Sequence, residues 1–453
     1  MKIVIVGCGK IGMTILSSLL QEGHDIVAVD TNANVISEIS NIYDSMCVCG
    51  NGADCETLSE AGVEKADMFV AVTGSDELNM LSCFIAKRMG AQHTVARIRN
   101  PEYNDQNLAF MRQQLDLSMA INPDLLAARE LYHILKLPSA AKVETFSRRN
   151  FELIELRLKD DSPLNGMKLM DLRRQHNDCK FLIGAVLRGD EIHIPDGNFE
   201  LCSGDQIALT AAVPEIQKLL KSLGIMQKSA KNIMILGASR VTYYLAKMLI
   251  SSGSSVKIIE KDLQRCQEFS ENLPQAIIIH GDGAQQELLL EEGIRSMDAF
   301  VSLTGMDEEN ILISFFASSQ GVPKVISKVN REELGSLAEK LGLECIVSPR
   351  KIISSVLARY ARALQNSVGS NVETLYKLMD DKAEALEFNV QEDFQHTGIP
   401  LVNLPLKPGI LIAGILRGKK TIVPAGDDCI LLGDRVIVLA AGQRLNVLSD
   451  IIR

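Results

Sequence analysis

The stretch KIVIVGCGKIG, residues 2–12, decides the fold of this chain. The apolar run that opens it is rich in β-branched residues, which is typical of a strand buried on both faces. Gly7 then permits a tight turn, Gly9 lets a phosphate approach the backbone, and Gly12 lets the helix predicted over 13–20 pack closely on the sheet. Free N–H groups and the positive end of a helix dipole would face the anion. The pattern therefore predicts a loop that binds a diphosphate.

A carboxylate at a suitable distance supports this interpretation. The strand predicted over 25–29 ends at Asp30, about 20 residues past the glycines, where a carboxylate accepts both ribose hydroxyls of an adenine dinucleotide. Asp30 also disfavours a 2′-phosphate, so NADP is not expected. The sequence does not separate NAD(H) from adenosine nucleotides such as ATP or ADP, and a purely structural turn is the alternative interpretation.

Length and composition limit the possible classes of protein. The 453 residues exceed what one hydrophobic core takes, so we expect about two to four domains. A net charge of −10 without a dense basic run argues against nucleic acid or an anionic lipid surface as the main partner. No apolar segment reaches the roughly 18–20 residues that span a bilayer, and the chain enters its first strand without room for a signal peptide. We therefore expect a cytosolic protein that does not insert into the bilayer directly.

The ten cysteines and seven histidines are scattered along the chain. In the cytosol the cysteines are expected to be reduced. Cys47, Cys49 and Cys55 could be taken for a metal cluster, but free cysteines in or beside a strand commonly act as small buried hydrophobes. The histidines show no HxxxH or HExxH spacing. We therefore predict no metal site.

Strands alternate with helices over residues 1–136, which predicts a parallel sheet with right-handed crossovers. Ligands of such sheets lie beyond the carboxyl ends of the strands, where the strand order reverses, so the ends of the first and fourth strands should flank the site. Asn51 should meet the adenine, and Arg97 either neutralises the pyrophosphate or pairs with a carboxylate. The first predicted site comprises Gly7, Cys8, Gly9, Lys10, Ile11, Gly12, Asp30, Asn51, Gly52, Thr73, Gly74 and Arg97.

The whole plan then repeats, which indicates a tandem duplication. Gly7 and Gly237 are 230 residues apart, as are Asp30 and Glu260. A phrase of the small lobes, LIGAVLRG at 182, returns as LIAGILRG with a shift of 229. We therefore predict an α/β chain in which two Rossmann-like parallel-sheet domains alternate with two small α+β lobes. The predicted limits are 1–136, 141–225, 230–364 and 372–453, with connectors at 138–141 and 365–372.

The second loop, GASRVT at 237–242, has lost two of the three glycines. Ser239 adds a Cβ where a phosphate would approach, and Thr242 would widen the contact between helix and strand. The Ser239 hydroxyl and the Glu260 carboxylate still offer partners to a nucleotide, so a second binding site and a degenerate copy kept for the scaffold both stay open. The second predicted site comprises Gly237, Ala238, Ser239, Arg240, Val241, Glu260, Asp282, Gly283, Thr304, Gly305 and Lys328.

Two further groups of charged residues allow more than one interpretation. The motif DExN at 76–79 returns as DExN at 307–310, and its acids either stabilise a helix N-terminus or contact a subunit or nucleotide. Basic residues follow Pro349 on one predicted helix, and we interpret them as a solvated or interface face rather than a polyanion site. They are Arg350, Lys351, Arg359 and Arg362.

The residues that catalysis would need are missing from the pattern. A hydride-transfer enzyme requires an acid or base near the nicotinamide, often a histidine oriented by a carboxylate, and neither small lobe offers such a pair. No nucleophile elbow, Walker lysine or metal motif occurs. We therefore predict that the protein is not an enzyme. The alternatives are an NAD-dependent oxidoreductase acting on an unknown small substrate and a redox or nucleotide sensor acting on a soluble partner.

With these motifs the chain resembles the TrkA-type regulatory subunits of bacterial Trk potassium uptake systems, which are built from tandem RCK (regulator of potassium conductance) units. The Gly7 loop, Asp30, the GNGA turn at 50–53, the pair Thr73-Gly74 and the phrase GAVLRG at 184–189 carry the resemblance. It covers essentially the whole chain, although at residue 10 a lysine stands where many relatives have arginine.

The resemblance implies a cytoplasmic protein that is peripheral to the inner face of the cell membrane. Its dinucleotide-binding domains would form a ring beneath an integral-membrane potassium-translocating subunit. The resemblance also implies a homotetramer, and it implies NAD, as NADH or NAD+, or in relatives ATP or ADP, as the nucleotide that gates potassium uptake.

Overall fold

Four β-sheets form the chain, and the same succession of two sheets occurs twice. The structure is a computed structural model that describes residues 1–103, 105–137, 139–140, 142–146, 151–226, 229–366, 372–379 and 382–453. Parallel six-stranded sheets alternate along the sequence with antiparallel five-stranded sheets, so the predicted α/β fold class is confirmed.

The first parallel sheet, with its helices, forms a unit that we call N-lobe 1. Its strands are β1 (Lys2–Val6), β2 (Asp25–Asp30), β3 (Met46–Cys49), β4 (Met68–Ala71), β5 (His93–Arg97) and β6 (Met119–Ile121). Its helices are α1 (Lys10–Gln21), α2 (Ala33–Ile42), α3 (Cys55–Glu60), α4 (Asp76–Met89), α5 (Asp105–Gln114) and α6 (Pro123–Lys136), with a 3-10 turn at Val63–Lys65. The strand order is β3-β2-β1-β4-β5-β6, so the order reverses between β1 and β4. This reversal creates the crevice in which such sheets bind ligands.

The first antiparallel sheet, with its helices, forms C-lobe 1. Its elements are β7 (Lys142–Phe146), β8 (Phe151–Arg157), α7 (Leu169–Gln175), β9 (Phe181–Arg188), β10 (Glu191–His193), β11 (Gln206–Ala212) and α8 (Val213–Ser222). The strand order in this sheet is β10-β9-β11-β8-β7.

N-lobe 2 repeats the first parallel sheet. Its strands are β12 (Asn232–Leu236), β13 (Ser255–Glu260), β14 (Ile277–His280), β15 (Ala299–Ser302), β16 (Lys324–Lys328) and β17 (Ile346–Val347). Its helices are α9 (Arg240–Ser251), α10 (Leu263–Asn272), α11 (Gln286–Glu291), α12 (Asp307–Ser319), α13 (Glu332–Lys340) and α14 (Pro349–Asn366), with a 3-10 turn at Ile294–Ser296. The strand order, β14-β13-β12-β15-β16-β17, reverses at the corresponding point.

C-lobe 2 repeats the antiparallel sheet with fewer helices. Its strands are β18 (Val372–Leu378), β19 (Ala383–Asn389), β20 (Ile410–Arg417), β21 (Lys420–Ile422) and β22 (Arg435–Ala441), in the order β18-β19-β22-β20-β21. Within the described part of this lobe the helical segments are 3-10 turns, at Leu401–Asn403 and Leu448–Ile451. Pro400, Pro405 and Pro408 explain the first of these, since prolines remove helix donors where C-lobe 1 has α7.

The predicted connectors are only partly described. The connector at 365–372 overlaps the last turn of α14 and the first residue of β18, and residues 367–371 lie outside the described residues. In the connector at 138–141, residues 139 and 140 are described, and Ala140 is buried in the core of C-lobe 1.

The last helix of each N-lobe packs on the other N-lobe. The apolar face of α6, with Leu131 and Leu135, is buried in one core with β12 and α9. The apolar face of α14, with Leu357 and Ala361, is buried in one core with β1 and α1. Each of these helices therefore completes the core of the other N-lobe, and the exchange is reciprocal.

The two C-lobes also share a core. Phe151 and Ala185 of C-lobe 1 belong to the same buried cluster as Leu416 and Leu439 of C-lobe 2. The Thr210 hydroxyl donates across this junction to the carbonyl of Ala413 at 3.2 Å. The two halves of the chain therefore contact each other through their N-lobes and through their C-lobes.

Candidate nucleotide site

A cavity of about 780 Å³ lies at the carboxyl ends of the strands of N-lobe 1 and is closed on its far side by N-lobe 2. From the first predicted site it is lined by Gly7, Gly9, Lys10, Ile11, Asp30, Asn51, Gly52, Thr73, Gly74 and Arg97. From the second predicted site it is lined by Ser239, Arg240, Val241 and Lys328. The two sites predicted separately therefore contribute to one shared cavity.

The first loop keeps its backbone open toward the cavity. Gly7 has a φ of 90°, and a Cβ there would lie 2.7 Å from the Thr73 nitrogen. A Cβ at Gly12 would lie 2.0 Å from the carbonyl oxygen of Gly7, so the helix can approach the loop this closely only without a side chain. Gly9, the N-cap of α1, has open space around it and offers no side-chain cap. The N–H groups of the first helical turn therefore remain available to an anion.

Asp30 is fixed at the end of β2 by two backbone donors. Its carboxylate accepts the Cys8 N–H at 2.7 Å and the Asn32 N–H at 2.8 Å. A carboxylate has further lone pairs, so these bonds orient Asp30 and still leave it able to accept ribose hydroxyls. Cys8 meets Asp30 through its backbone, while its side chain is buried behind the loop, and burial raises the pKa of the thiol to about 12.

An asparagine ties the strand ends together beneath the cavity. The Asn79 side-chain oxygen accepts from the N–H and the hydroxyl of Thr73, both at 2.7 Å, and its amide donates to the Arg97 carbonyl at 2.9 Å. Asn310 makes the corresponding bonds to Thr304 and Lys328 in N-lobe 2. These bonds hold β4 to β5 and β15 to β16 at the ends where a ligand would lie.

Arg97 lines the cavity from a buried position. Its guanidinium donates to the Thr73 carbonyl, and its Nε has no hydrogen-bond partner among the described residues. Burial lowers the pKa of Arg97. Within the described ranges Arg97 forms no salt bridge, which disfavours the alternative that it pairs with a carboxylate; that it neutralises a pyrophosphate remains a prediction.

In the second loop, side-chain hydroxyls form hydrogen bonds at the positions where the first loop has glycines. The Ser239 hydroxyl accepts the Thr242 N–H at 3.2 Å and so caps α9. The Thr242 hydroxyl donates to the Gly237 carbonyl at 2.6 Å, which preserves the contact that the expected widening would have lost. Glu260 accepts the Ala238 N–H at 2.6 Å, as Asp30 accepts that of Cys8. The backbone turn is therefore the same in both loops, whereas a side chain caps the following helix only in the second.

The remaining predicted residues of the second site lie outside the shared cavity. Asp282 accepts the N–H of Ala284 at 3.0 Å, a bond that Asn51 repeats with Ala53 in N-lobe 1. Gly283 packs against Leu236. The set that does not line the cavity is Cys8, Gly12, Gly237, Ala238, Glu260, Asp282, Gly283, Thr304 and Gly305.

The cavity also contains residues that the sequence analysis missed or interpreted differently. Arg99 forms a salt bridge with Asp124 at 2.7 Å, and Asn330, Pro349 and Arg350 line the opposite side. A signal was present, because α6 and α14 begin directly after the sixth strand of each sheet, and their first turns must therefore lie at the carboxyl edge. The basic helix after Pro349 is not one solvated face: Arg350 reaches the cavity, and Arg362 is buried.

The acids of the repeated DExN motif lie in the first turns of α4 and α12, where they favour the helix dipole, and the two aspartates also bind backbone N–H groups outside these helices. Asp76 accepts the N–H groups of Arg99 and Asn100, both at 2.8 Å, and Asp307 accepts those of Asn330 and Arg331 at 3.0 Å. They fix the loop that follows the fifth strand of each sheet. In N-lobe 1 the cap of α4 is supplied by the hydroxyl of Ser75.

Neither a metal centre nor a membrane span is found in the described part of the chain. No group of three or more His, Cys, Asp or Glu residues is placed there to hold a metal ion. No described helix has the length and apolarity that crossing a membrane requires.

The fold and the shared cavity define a class: a tandem pair of Rossmann-type domains, each followed by a small antiparallel lobe. The chain belongs to the TrkA family. The model of the TrkA-N domain matches residues 3–123 and 233–349, and that of the TrkA-C domain matches residues 153–224 and 390–453.

Full-length relatives agree with this assignment. The chain is 32% identical over 453 residues, all of both chains, to the Trk system potassium uptake protein TrkA homolog of Archaeoglobus fulgidus. It is 33% identical over 448 residues to TrkA homolog 1 of Methanosarcina mazei, which covers 97% of each. To the Trk system potassium uptake protein TrkA of Haemophilus influenzae it is 30% identical over 451 residues, covering 98% of this chain and 96% of the relative.

Solved structures share the architecture. The crystal structure of the GsuK RCK domain superimposes with a TM-score of 0.64 at 16% identity, covering 97% of this chain and 92% of that one. The GsuK channel bound to NAD gives a TM-score of 0.63 at 16% identity, with 97% and 77% covered. At this identity the likeness establishes the RCK fold and no more.

Proposed function

We propose that this protein is a regulatory subunit of a Trk-type potassium uptake system, which binds NAD(H) or an adenine nucleotide and gates an integral-membrane potassium-translocating subunit. The relatives that are about 30% identical over their whole length are named as Trk system potassium uptake proteins. In this proposal the protein is cytoplasmic and meets the membrane through its partner, without bilayer insertion and without nucleic acid.

The observation that carries the proposal is the open first loop inside a cavity that both N-lobes line. Lys10 and Arg97 lie on the side of N-lobe 1, and Arg240, Lys328 and Arg350 lie on the side of N-lobe 2. A dinucleotide on the first loop would place its anionic centre between these two sets of cations. Its binding free energy would then favour one spacing of the N-lobes over another, since a ligand shifts an equilibrium by its differential affinity for the two states.

The loops favour one nucleotide for each chain. The first loop leaves its first helical turn without a side-chain cap, whereas in the second loop the Ser239 hydroxyl accepts the Thr242 N–H and the Thr242 hydroxyl donates to the Gly237 carbonyl. We expect titration calorimetry with NADH, NAD+, ATP or ADP to give close to one bound nucleotide per chain. Two equivalent sites per chain would contradict this assignment of the loops.

A regulatory rather than catalytic role fits the lining of the cavity. Among the described residues the lining contains neither histidine nor cysteine, and its carboxylates, Asp30 and Asp124, are held by backbone N–H groups and by Arg99. The rival function is an NAD-dependent oxidoreductase, which would need an acid or base near the nicotinamide, often a histidine oriented by a carboxylate. Turnover of NADH with small aldehydes or hydroxy acids in a steady-state absorbance assay would favour the rival.

The decisive experiment is reconstitution with the membrane subunit in proteoliposomes. We expect rubidium uptake to depend on nucleotide, and we expect the dependence to disappear with Asp30→Ala but to persist with the matched control Glu260→Ala. Because coupling is reciprocal, the membrane subunit should also change nucleotide affinity. Rubidium uptake that does not depend on nucleotide would contradict the proposal. Equal nucleotide affinities with and without the membrane subunit would also contradict it.

Self-association into a homotetramer belongs to the same proposal. The outer helices of both N-lobes expose large apolar side chains, Leu81 and Phe110 on α4 and α5, and Leu312 and Leu341 at the corresponding helices α12 and α13. Leu81 and Leu312 are separated by the 231-residue repeat. A surface that occurs once on each half suits assembly with further copies. Native mass spectrometry should show four chains, fewer for Leu81→Lys combined with Leu312→Lys, and four again for the exposed control Val402→Lys.

A further inference from the structure

A buried cluster of charges lies at the end of α1 that is remote from the nucleotide loop. Arg362 Nε donates to Glu22 Oε2 at 2.7 Å, and the guanidinium also donates to the two Glu384 oxygens at 3.0 and 3.1 Å. Lys377 Nζ lies 3.2 Å from Glu22 Oε1. The side chains of Glu22 and Arg362 are only 2% and 8% exposed.

The cluster holds its charges although it is shielded from water. Burial alone would raise the pKa of Glu22, but the charges of and hydrogen bonds from Arg362 and Lys377 outweigh it and keep this pKa below its ordinary value. Burying charges is costly unless they are paired, and replacing such a cluster with apolar residues is often neutral or stabilising. Its presence here is therefore better explained by what it connects than by stability.

Two helices join the cavity to this cluster. α1 starts at Lys10 in the cavity and ends beside Glu22, and α14 has Arg350 in the cavity and Arg362 in the cluster. Each path covers 12 residues, or about 18 Å at 1.5 Å per residue. The helices run in the same direction and share one apolar core, so they form a continuous element between the two places.

C-lobe 2 contacts the ends of α1 and α14 that are remote from the cavity. Glu384 lies on β19 and Lys377 on β18, and the Arg444 guanidinium donates to the carbonyl of Gln21, the last residue of α1, at 2.6 Å. A cation at a helix C-terminus complements the helix dipole. The first nucleotide loop and C-lobe 2 are thus attached to opposite ends of α1.

The other half of the chain keeps only part of this arrangement: Lys142 and Glu155 face each other across β7 and β8 as Lys377 and Glu384 do across β18 and β19. α9 corresponds to α1 at a shift of 230, so Ser252 occupies the position of Glu22, and its hydroxyl donates to Leu249 within its own segment. Pro123 and Pro349 open α6 and α14, which places Lys136 at the position of Arg362. The half with the open loop has the central carboxylate, and the half with the filled loop has lost it.

We infer that the Glu22–Arg362–Glu384 cluster is the coupling device that carries occupancy of the first nucleotide loop, through α1 and α14, to C-lobe 2. The inference rests on the proposed function, since it requires that a nucleotide binds the first loop. The physical requirement is an element whose two arrangements both ends can bias, and the two packed helices with a charged anchor provide one.

The test combines calorimetry with hydrogen–deuterium exchange, using the full-length protein and NADH as the probe. We expect saturating NADH to change amide exchange at β18 and β19 in the wild type. Glu22→Gln keeps the shape and removes the charge, and Glu22→Ser with Arg362→Lys gives the first half the residues of the second. In both variants we expect NADH affinity within threefold of wild type and at least half of the exchange change in C-lobe 2 to be lost.

The control is Glu332→Gln, which breaks an exposed ion pair between Glu332 and Lys351 on α14 and should leave the exchange change intact. Thermal unfolding confirms that each variant is folded. If the double substitution does not fold, the conservative Glu22→Gln alone provides the test. Binding without any exchange change in wild-type C-lobe 2, or an equal change in the variants, would overturn the inference alone. Absence of NADH binding to the wild type would overturn the proposed function and the inference with it.

Discussion

The loops after β1 and β12 share one backbone turn but differ in whether a side chain caps the helix that follows. Gly7 and Gly237 have φ values of 90° and 94°. In each loop, the acid that ends the next strand accepts the N–H of the residue after this glycine. In the second loop, however, Ser239 and Thr242 bond within the loop itself. The comparison teaches that the same turn and acid occur with and without a side-chain cap on the helix, and that the missing cap distinguishes the first loop.

The largest expected effect concerns the closest contact of the first loop. Gly12→Thr would bring a Cβ to 2.0 Å from a backbone carbonyl that cannot move as a side chain can. We expect a loss of about 3 kcal/mol in the free energy of unfolding, measured by urea denaturation. Thr242→Gly, the reverse change, should cost only about 1–2 kcal/mol for the lost hydrogen bond and the added flexibility. Equal losses would mean that the two loops are packed alike.

Replacing the acid of the first loop should weaken nucleotide binding by about two orders of magnitude more than replacing the acid of the second. Asp30→Ala removes the proposed ribose acceptor, so calorimetry should show NADH binding weakened about a hundredfold. Glu260→Ala removes the corresponding backbone contact in N-lobe 2 and should leave affinity within twofold. Because both variants lose similar bonds to the backbone, similar falls in melting temperature serve as the internal control. A loss of affinity in the Glu260 variant would place a ligand in the second loop.

The two exchanged helices differ in a titratable residue. α6 carries Glu130 where α14 carries Val356, counting from their first prolines. Burial, with the nearby carboxylates Glu144 and Glu155 adding to it, raises the pKa of Glu130 to about 7, although Lys142 and Arg359 oppose the rise. The group is neutral in both folded and unfolded chains only well below pH 4.5, and the cost of keeping it in the folded state grows as the pH rises from there to 7.

Glu130→Gln should therefore stabilise the protein in a pH-dependent way. The gain should be on the order of 2 kcal/mol at pH 8 and near zero at pH 4.5. Chemical denaturation at the two pH values measures it, and Val356→Gln, which adds an amide to an apolar position, should instead destabilise at both. A gain that is the same at both pH values would show that burial does not perturb Glu130.

The smallest effects concern the N-cap positions. Ser239→Ala removes the hydroxyl that caps α9 and should cost about 1 kcal/mol of stability without changing nucleotide binding. Gly9→Ala meets open space, so it should cost only a few tenths of a kcal/mol, yet its methyl group lies where a phosphate would approach. Thermal unfolding and NADH titration of both variants check that the variant with the larger loss of stability is not the one with weaker binding. Weaker binding in the Ser239 variant would contradict it.

Much of the architecture was predictable because it depends on local patterns. Buried strands, glycine turns and the acid after β2 repeat at near-constant spacing, so the two α/β units and the edge of the sheet that holds the cavity follow from the sequence. The helix at 33–42 and the strand at 119–121 have the predicted bounds.

What the sequence could not provide depends on long-range pairing. The apolar stripe of α6 is the same whether it covers its own sheet or another, so the exchange with α14 has no local signal. The burial of Arg362 depends on Glu22, which lies 340 residues earlier. The cations of N-lobe 2 face the first loop for the same reason, so part of the second predicted site lines the same cavity as the first.

The reciprocal covering of cores by α6 and α14 has a consequence for how the halves can diverge. In an assembly of two identical single units, every substitution appears twice, and both loops must stay serviceable. Here each half supplies the helix that the other needs, and one gene encodes both. One loop can therefore become part of the scaffold while the other keeps the ligand, an asymmetry that an assembly of identical single units cannot have.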